Sequence, residues 1–242
     1  MVTTISPHIP IPMLKSYIIT ITIFCSIFLS SCFELREEID LNKDGSGTYR
    51  LLLDMSQSKQ TLELAYKMQQ NKDNEAAKNL NFTIDSTFAK SVMRFNNMPG
   101  ISQAKDSVNK TDYIFGVMFN FSGMEALNNA ISELNKDENG KSTIEKPVYS
   151  LTKNIFERQN SYYFNNISEV LKGNANLDKN EKLQTLLQGA SYICVIKVNG
   201  KIKKFSNKKA EIDYTKTVLR LTAPLTEAMR GNADLGNVLK IK

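Results

Sequence analysis

Covalent and acid–base chemistry has few hosts in this chain. Its cysteines are Cys25, Cys32 and Cys194, its single histidine is His8, and it has no tryptophan. Cys32 has the most pointed surroundings, because it follows Leu29-Ser30-Ser31 at the close of an apolar run that opens after Lys15. A basic start, an apolar stretch and small residues before a cut describe an export leader; the run is too short and wrongly flanked for a transmembrane span. Removal of such a leader would take Cys25 and His8 with it and leave a chain without imidazole. Ser-His-Asp and Cys-His catalysis are then excluded, as is a zinc site that relies on histidine. Cys194 lies in Tyr192-Ile193-Cys194-Val195-Ile196, where a thiol reads as a small buried hydrophobe rather than a nucleophile. No internal disulfide is expected, so the core alone must hold the fold.

Other groupings carry a chemical reading beside a plainer one. Asp40-x-Asn42-x-Asp44-Gly45 has the first half of an EF-hand calcium loop, but the twelfth position, which should bring a bidentate Glu, is Leu51. Strand-like sequence on both sides favours a hairpin turn, with no metal. Lys197, Lys201, Lys203, Lys204, Lys208 and Lys209 cluster around Asn199-Gly200. They read either as a basic finger for lipid phosphate or an acidic envelope polymer, or as a solvated hairpin whose lysines block edge-to-edge pairing. The second reading is the plainer one. Tyr113, Phe115, Val117, Phe119 and Phe121, with Phe82, Phe88, Phe95 and Phe156, either line a cavity for an acyl chain or form ordinary core, and core is the commoner outcome. Glu37 and Glu38 are neighbours on an expected strand and so point to opposite faces, a poor arrangement for a glycosidase pair. Gly45-Ser46-Gly47 leads into a strand and not into a phosphate-gripping helix.

The elements that would position these residues follow from periodicity. Phe33 to Leu41 and Thr48 to Met55 form a hairpin about Asn42–Gly47. Ser56 caps a helix to about Lys72, and Asn71 to Asn81 is a loop. Asp85-Ser86 starts a second helix, which Asn96-Asn97-Met98-Pro99-Gly100 ends. A strand covers Ile101 to Val108. Tyr113 to Phe121, apolar on both faces, reads as a central strand. Ser122-Gly123 opens a helix carrying Leu127, Ala130, Ile131 and Leu134, and Lys136 to Lys146 is a charged surface loop. Val148 to Arg158 and Tyr162 to Phe164 read as a strand pair, and Asn165 to Gln188 as helical. Tyr192 to Val198 and Lys201 to Phe205 form a hairpin about Asn199-Gly200, a pair that tolerates positive φ. Ala210 to Asp213 and Thr217 to Leu221 follow as strands, Ala223-Pro224 breaks the last of them, and the tail is irregular or briefly helical.

Leu29-Ser30-Ser31-Cys32 and the run before it resemble the lipobox signal peptide of bacterial lipoproteins. That resemblance implies cleavage before Cys32, diacylglycerol on its sulfur and an acyl chain such as palmitate on its amine, a combination that anchors stably. Residues before Met13 carry three prolines and no positive charge, so translation from Met13 gives the more ordinary signal; an extended leader from Met1 is the alternative. From Cys32 onward the chain resembles uncharacterised envelope lipoproteins of Bacteroidota type. The shared features are a strand off the lipid cysteine, Asp44-Gly45-Ser46-Gly47, Met98-Pro99-Gly100-Ile101 and the closing Tyr192…Lys204…Thr217 unit. It is more distantly similar to LppM-like lipoproteins, whose sheet-and-helix domain is linked to lipid binding. No catalytic residue carries across. Glu34, Glu37 and Glu38 sit where acids accompany surface export in some lineages, and equally where the polar side of a first strand would place them. Phe33 in place of Asp lacks the inner-membrane retention signal of enteric lipoproteins, which favours the outer membrane.

The sequence therefore predicts a signal peptide over 1–31 and one α+β domain over 32–242, with a mostly antiparallel sheet, β-hairpins near both ends and helices packed on it. The formal charge of +6 falls by one with Lys15. The expected function is non-enzymatic: a lipid-anchored cell-envelope protein that binds or scaffolds at the membrane surface, with a lipid or other amphiphile as the specific form. A hydrolase using carboxylates or a Ser-Lys pair is the rival. A membrane contact through the anchor and a lipid or envelope-protein partner are implied, on the periplasmic or the surface face. Neither cofactor nor nucleic acid is expected.

Overall fold

Apolar and polar residues alternate in Glu34–Leu41 and again in Gly47–Asp54, and each stretch becomes a strand with one buried and one half-exposed face. These are β1 and β2 of a computed structural model, which describes residues 33–59, 88–136, 141–142, 144–162, 164, 187 and 189–242. The turn between them is set by Asp44, whose carboxylate accepts from the Ser46 amide (3.0 Å) and hydroxyl (2.7 Å), and by Gly45 at φ +87°. A side chain at Gly45 would also crowd Leu151 of the opposite layer. The half-match to a calcium loop is thus a hairpin turn, with Asp40 directed away from it towards Arg50 and Lys197.

The remaining strands are β3 (Ile101–Asp106), β4 (Ile114–Phe121), β5 (Tyr149–Thr152), β6 (Ile155–Arg158), β7 (Ser191–Val198), β8 (Ile202–Phe205), β9 (Glu211–Ile212), β10 (Val218–Pro224) and β11 (Asn237–Ile241). Helices α1 (Met124–Leu134) and α2 (Leu225–Met229) are joined by helical residues 88–95. One sheet has the order β3-β4-β2-β1-β7-β10-β9 and the second β5-β6-β11-β8. Every pairing is antiparallel except β1 with β7, which run parallel with Glu37 opposite Cys194. The fold is α+β, as composition and pattern required.

The inner face of the large sheet is apolar: Leu35, Ile39, Tyr49, Leu51, Phe115, Val117, Phe119, Ile196, Leu219 and Leu221 are all at most 1% exposed. Two kinds of cover bury it. Residues 88–95 and α1 lie over β4, where Phe119 stacks on Tyr49 at 5.1 Å and meets Phe95 at 4.8 Å. The small sheet covers the rest. Helix α1 is tied to that sheet by Asn128, whose Nδ2 donates to the Tyr149 carbonyl (2.8 Å) while its Oδ1 accepts from the amides of Val148 (2.8 Å) and Tyr149 (2.9 Å). One side chain thereby supplies the pairing that a neighbouring strand would have given β5.

Several expectations need correction. Residues 149–158 alone form a hairpin, β5–β6, which turns at Lys153 with φ +55°, whereas Tyr162 and Phe164 lie outside any strand. Asn199-Gly200 joins no hairpin. Both edges of β7 are occupied, by β1 and β10, so the chain after Gly200 must leave the sheet, and β8 pairs with β11 in the other one. Gly200 is needed for proximity, because an added Cβ would come within 2.6 Å of the Lys242 carbonyl. The tail, expected to be irregular or briefly helical, does contain the short helix α2, but it also contains β11, the strand that holds the small sheet together. Strand β4 is interior to its sheet, between β3 and β2, as a central strand should be, but only one of its faces is fully covered: Phe115, Val117, Phe119 and Phe121 are buried while Ile114, Met118 and Asn120 are half-exposed. The expected helix beyond 59, the loop 71–81, Phe82, most of 165–188 and part of 136–146 lie outside the described residues.

The β9–β10 turn is held by Asp213, whose carboxylate accepts from the amides of Thr217 (2.8 Å), Val218 (2.8 Å) and Thr215 (3.2 Å) and from the Thr215 hydroxyl. The hydroxyl bond and then the amides pull its pKa down to about 2. Because the folded value lies below the ordinary carboxylate range, this contribution to stability is complete above pH ~4 and disappears as the pH falls towards 2. A carboxyl NMR titration should find Asp213 near that value, and Asp213→Asn should remove the corresponding step from the acid-unfolding curve.

Candidate functional site

The least expected feature lies inside the fold. Glu37 occupies an inward position of β1, between Leu35 and Ile39, and its side chain is fully buried. Its Oε1 accepts from the hydroxyls of Tyr49 (3.1 Å) and Tyr149, and its Oε2 from the Tyr192 hydroxyl and from Nε (3.4 Å) and Nη2 (3.3 Å) of Arg158. The guanidinium, equally buried, donates further to the carbonyls of Gln159 (2.9 Å), Leu235 (2.9 Å) and Ser161 (3.3 Å) and to the Tyr192 oxygen (2.8 Å). Glu37, Tyr49 and Tyr192 come from the large sheet, Tyr149 and Arg158 from the small one. A carboxylate taken out of water is tolerable only when paired and hydrogen-bonded in this way.

Chemically the cluster is sealed: the carboxylate is walled by phenols and the guanidinium, with no exposed edge for a substrate. Cys194 lies beside it, its thiol pushed up to about 12 by burial and, secondarily, by the Glu37 charge. The thiol is therefore an inert part of the core, as its apolar neighbours suggested. Glu37 and Glu38 do point to opposite faces, as their adjacency on a strand predicts, but Glu37 does not share the polar side with Glu34 and Glu38, the alternative to an export signal that the sequence offered. The signal was available in the alternation Leu35-x-Glu37-x-Ile39-x-Leu41, where an acid sits in the apolar phase. Arg158, two residues after Phe156, repeats it.

The outer face of β1 is a separate charge ladder. Arg36 pairs with Glu34 (2.6 Å) and Glu38 (3.8 Å), Arg50 with Asp40 (2.7 Å) and Glu38 (3.6 Å), and Lys197 with Asp40 (3.5 Å) and Glu38 (3.8 Å). Each pair is half-exposed and individually worth little.

Among the described residues, an accessible cleft lies at one end of the layers, where turns from both sheets meet. The cleft, of about 260 Å³, has a floor of Leu41, Leu151, Val198 and Ile241 and a rim that includes Lys43, Lys153 and Lys242, with no Asp or Glu side chain among its lining residues. Its walls are stitched together. The Asn199 amide donates to the Leu41 carbonyl (2.8 Å), Asn154 Nδ2 to the Ile241 carbonyl (2.9 Å), and Lys201 and Lys242 exchange backbone bonds of 3.0 and 2.8 Å. An apolar floor under unpaired ammonium groups suits an anionic head on a short apolar tail. The volume, about 260 Å³, is just under the 300–1,000 Å³ of sites that enclose drug-sized ligands, so a short single chain fits the recess and a whole two-chain lipid would not be enclosed by it.

The six lysines expected near Asn199 are dispersed. Lys197 belongs to the outer ladder, and Lys201 donates to the Thr215 carbonyl (2.7 Å) at the cleft end. Lys203 and Lys204 are exposed on β8, an edge strand, and Lys208 and Lys209 lie in the loop beyond it. The aromatic set Phe115, Val117, Phe119 and Phe121 is in the core, with Tyr113 half-buried at its start at φ +55°. The lipobox Leu29, Ser30, Ser31 and Cys32 lies outside the described residues. Cleft residues Lys43, Lys153 and Lys242 were missed because they are scattered in sequence and meet only through the turns.

A mixed seven-stranded sheet covered on one face by helices and a four-stranded sheet defines the structural class. Among solved structures it is similar to the folded domain of Mycobacterium tuberculosis LppM, determined by NMR, with a TM-score of 0.38 and 6% identity over 88% of this chain and 91% of that one. No family model and no curated protein matches the sequence.

Arg158→Met leaves the Glu37 charge buried without its counter-charge and should cost about 3–5 kcal/mol in urea unfolding, whereas Glu37→Gln combined with Arg158→Met, which removes the charge but keeps an acceptor for the tyrosine hydroxyls, should recover part of that loss. Cys194 should resist thiol reagents at pH 8 in the folded protein and react stoichiometrically once it is unfolded.

Proposed function

We propose that this is a non-enzymatic lipoprotein of the bacterial cell envelope, anchored through Cys32, whose domain binds an anionic amphiphile at the membrane surface. The lipobox pattern supports the anchor, and Phe33 in second position favours the outer membrane. The observation that carries the binding reading is the end cleft, with its apolar floor and lysine rim. Binding rather than turnover is supported by the state of the best candidate acid: Glu37 is sealed in the core, and its neighbour Glu38 is on the opposite face in an ion-pair ladder. Single-chain amphiphiles fit the volume, with the carboxylate, sulfate or phosphate head at the lysines and a short tail over Leu41 and Leu151.

Leu151 is half-exposed on the cleft floor, at the edge of the core, so Leu151→Trp should fill the recess. In a chain that begins at Phe33, native mass spectrometry with dodecyl phosphate should show one bound molecule, lost in Leu151→Trp and weakened about fivefold by Lys153→Gln, the effect of one lysine near an anionic head. No adduct in the parent chain, or one indifferent to both substitutions, would remove the amphiphile reading.

A further inference from the structure

The strand register gathers more than the cleft at this end. Leu41 lies opposite Gly47 and Val198, and Val218 opposite Lys197, so the turns 42–46, 199–201 and 213–217 come together there. The 213–217 turn is fastened to the cleft wall, since the amides of Val198 and Ile202 donate to the carbonyls of Thr217 (2.9 Å) and Lys216 (2.8 Å). Exposed at this end are Lys43, Lys153, Lys201, Lys216 and Lys242, together with Tyr214, whose ring is 96% exposed. Lys153 and Lys216 hold φ of +55° and +58° at the tips of their turns. Lysine rarely adopts that conformation, and such outliers concentrate at functional surfaces. Two aspartates share this end, Asp44 bonded to Ser46 and Asp213 to the amides of its own turn, and both keep solvent-facing charges that the five lysines outnumber.

The start of β1 is at the opposite end, and Cys32 is one peptide bond before Phe33. Eight residues of strand at about 3.3 Å each separate the two ends by roughly 26 Å. That is some three Debye lengths at physiological salt, about 8 Å each. The lysines are thus out of electrostatic range of a bilayer that holds Cys32 while β1 stands away from it.

We propose that the end bearing the cleft is a docking face for a second, anionic membrane surface, so that the protein bridges two bilayers. This rests on the anchored reading above. A membrane fits the chemistry better than a soluble polyanion. Lysines would serve either partner, but a fully exposed tyrosine ring and an apolar-floored recess match the headgroup region, where an amphipathic ring and a short chain segment both find apolar contact. Each lysine brought to an anionic surface is worth about fivefold in partition.

The full chain reconstituted in phosphatidylcholine vesicles should capture fluorescent vesicles containing phosphatidylglycerol, and do so less as salt rises. Lys43→Gln/Lys153→Gln/Lys216→Gln should weaken capture on the order of a hundredfold, Tyr214→Ala several-fold, and Lys208→Gln/Lys209→Gln, on the loop beyond β8, not at all. Equal capture of neutral vesicles, or capture unchanged in the triple variant, overturns the proposal. So does binding to polyglutamate beads without capture of any vesicle, which would assign the face to a polymer. If the chain floats with its own vesicles yet captures none, the docking face fails while the anchor stands. Failure to float with them removes the anchor itself.

Discussion

The two layers are held in one alignment by a single carboxylate. Glu37 accepts from four side chains on four strands, two of them across the interface between the sheets, and Arg158 then ties the small sheet to the carbonyls of Gln159, Ser161 and Leu235. Apolar contact alone would let two pleated faces slide, because burial is nearly indifferent to register. A buried charge is not indifferent. Any displacement that opens one of these bonds leaves a desolvated polar group unpaired, at a cost of about 1–3 kcal/mol or more. A buried ion pair is weak as a source of net stability, but its geometry singles out one packing among many apolar alternatives.

The same strand shows how position decides what a charge does. Glu37 and Glu38 are adjacent, yet one is enclosed by phenols and a guanidinium while the other lies in a half-exposed ladder with Arg36, Arg50 and Lys197. The ladder runs along the centre of the outer face, where β1 and β7 are parallel and interior to the sheet. Alternating signs across three strands let those strands pair without like charges directly opposite one another. Two rows of charge on one eight-residue strand thus have separate duties, inner docking and outer compatibility.

Much of this was legible in sequence, and what was not has physical reasons. Periodicity located β1, β2, β3, β4, α1, β7 and β10 because each has a face whose burial it records. Glu37 was misread because composition labels an acid as polar before phase is considered; Leu35-x-Glu37-x-Ile39 puts it inward whatever its charge. Asn199-Gly200 failed as a hairpin signal because turn chemistry is local, whereas the choice of partner for β8 is decided by β7 having no free edge. Strand β11 was missed for a related reason: Asn237–Ile241 is short and carries an inward Asn237, whose Oδ1 accepts from the amides of Ser206 and Asn207 and the Ser206 hydroxyl, some thirty residues away. The cleft lay furthest from reach, since Lys43, Lys153 and Lys242 share no motif and are joined only by tertiary register.

Cleft and cluster are nevertheless one construction. Leu41 lies four residues beyond Glu37 on β1, and Lys153 five residues before Arg158 on the β5–β6 hairpin, so the bond that locks the sheets together also fixes opposite walls of the recess. An open end between two independently moving sheets would present lysines at variable spacing and an intermittent floor. With the sheets pinned a few residues away, with Asn199 and Asn154 bonded each within its own wall and the Ile202 amide bonded to the Lys216 carbonyl between the two sheets' elements, the rim is already arranged before anything binds. The ordering cost that usually weakens a loop-built site is then met in folding and not in binding. This gives the buried polar cluster, remote from any ligand, a direct bearing on how well the turns at the far end can hold one.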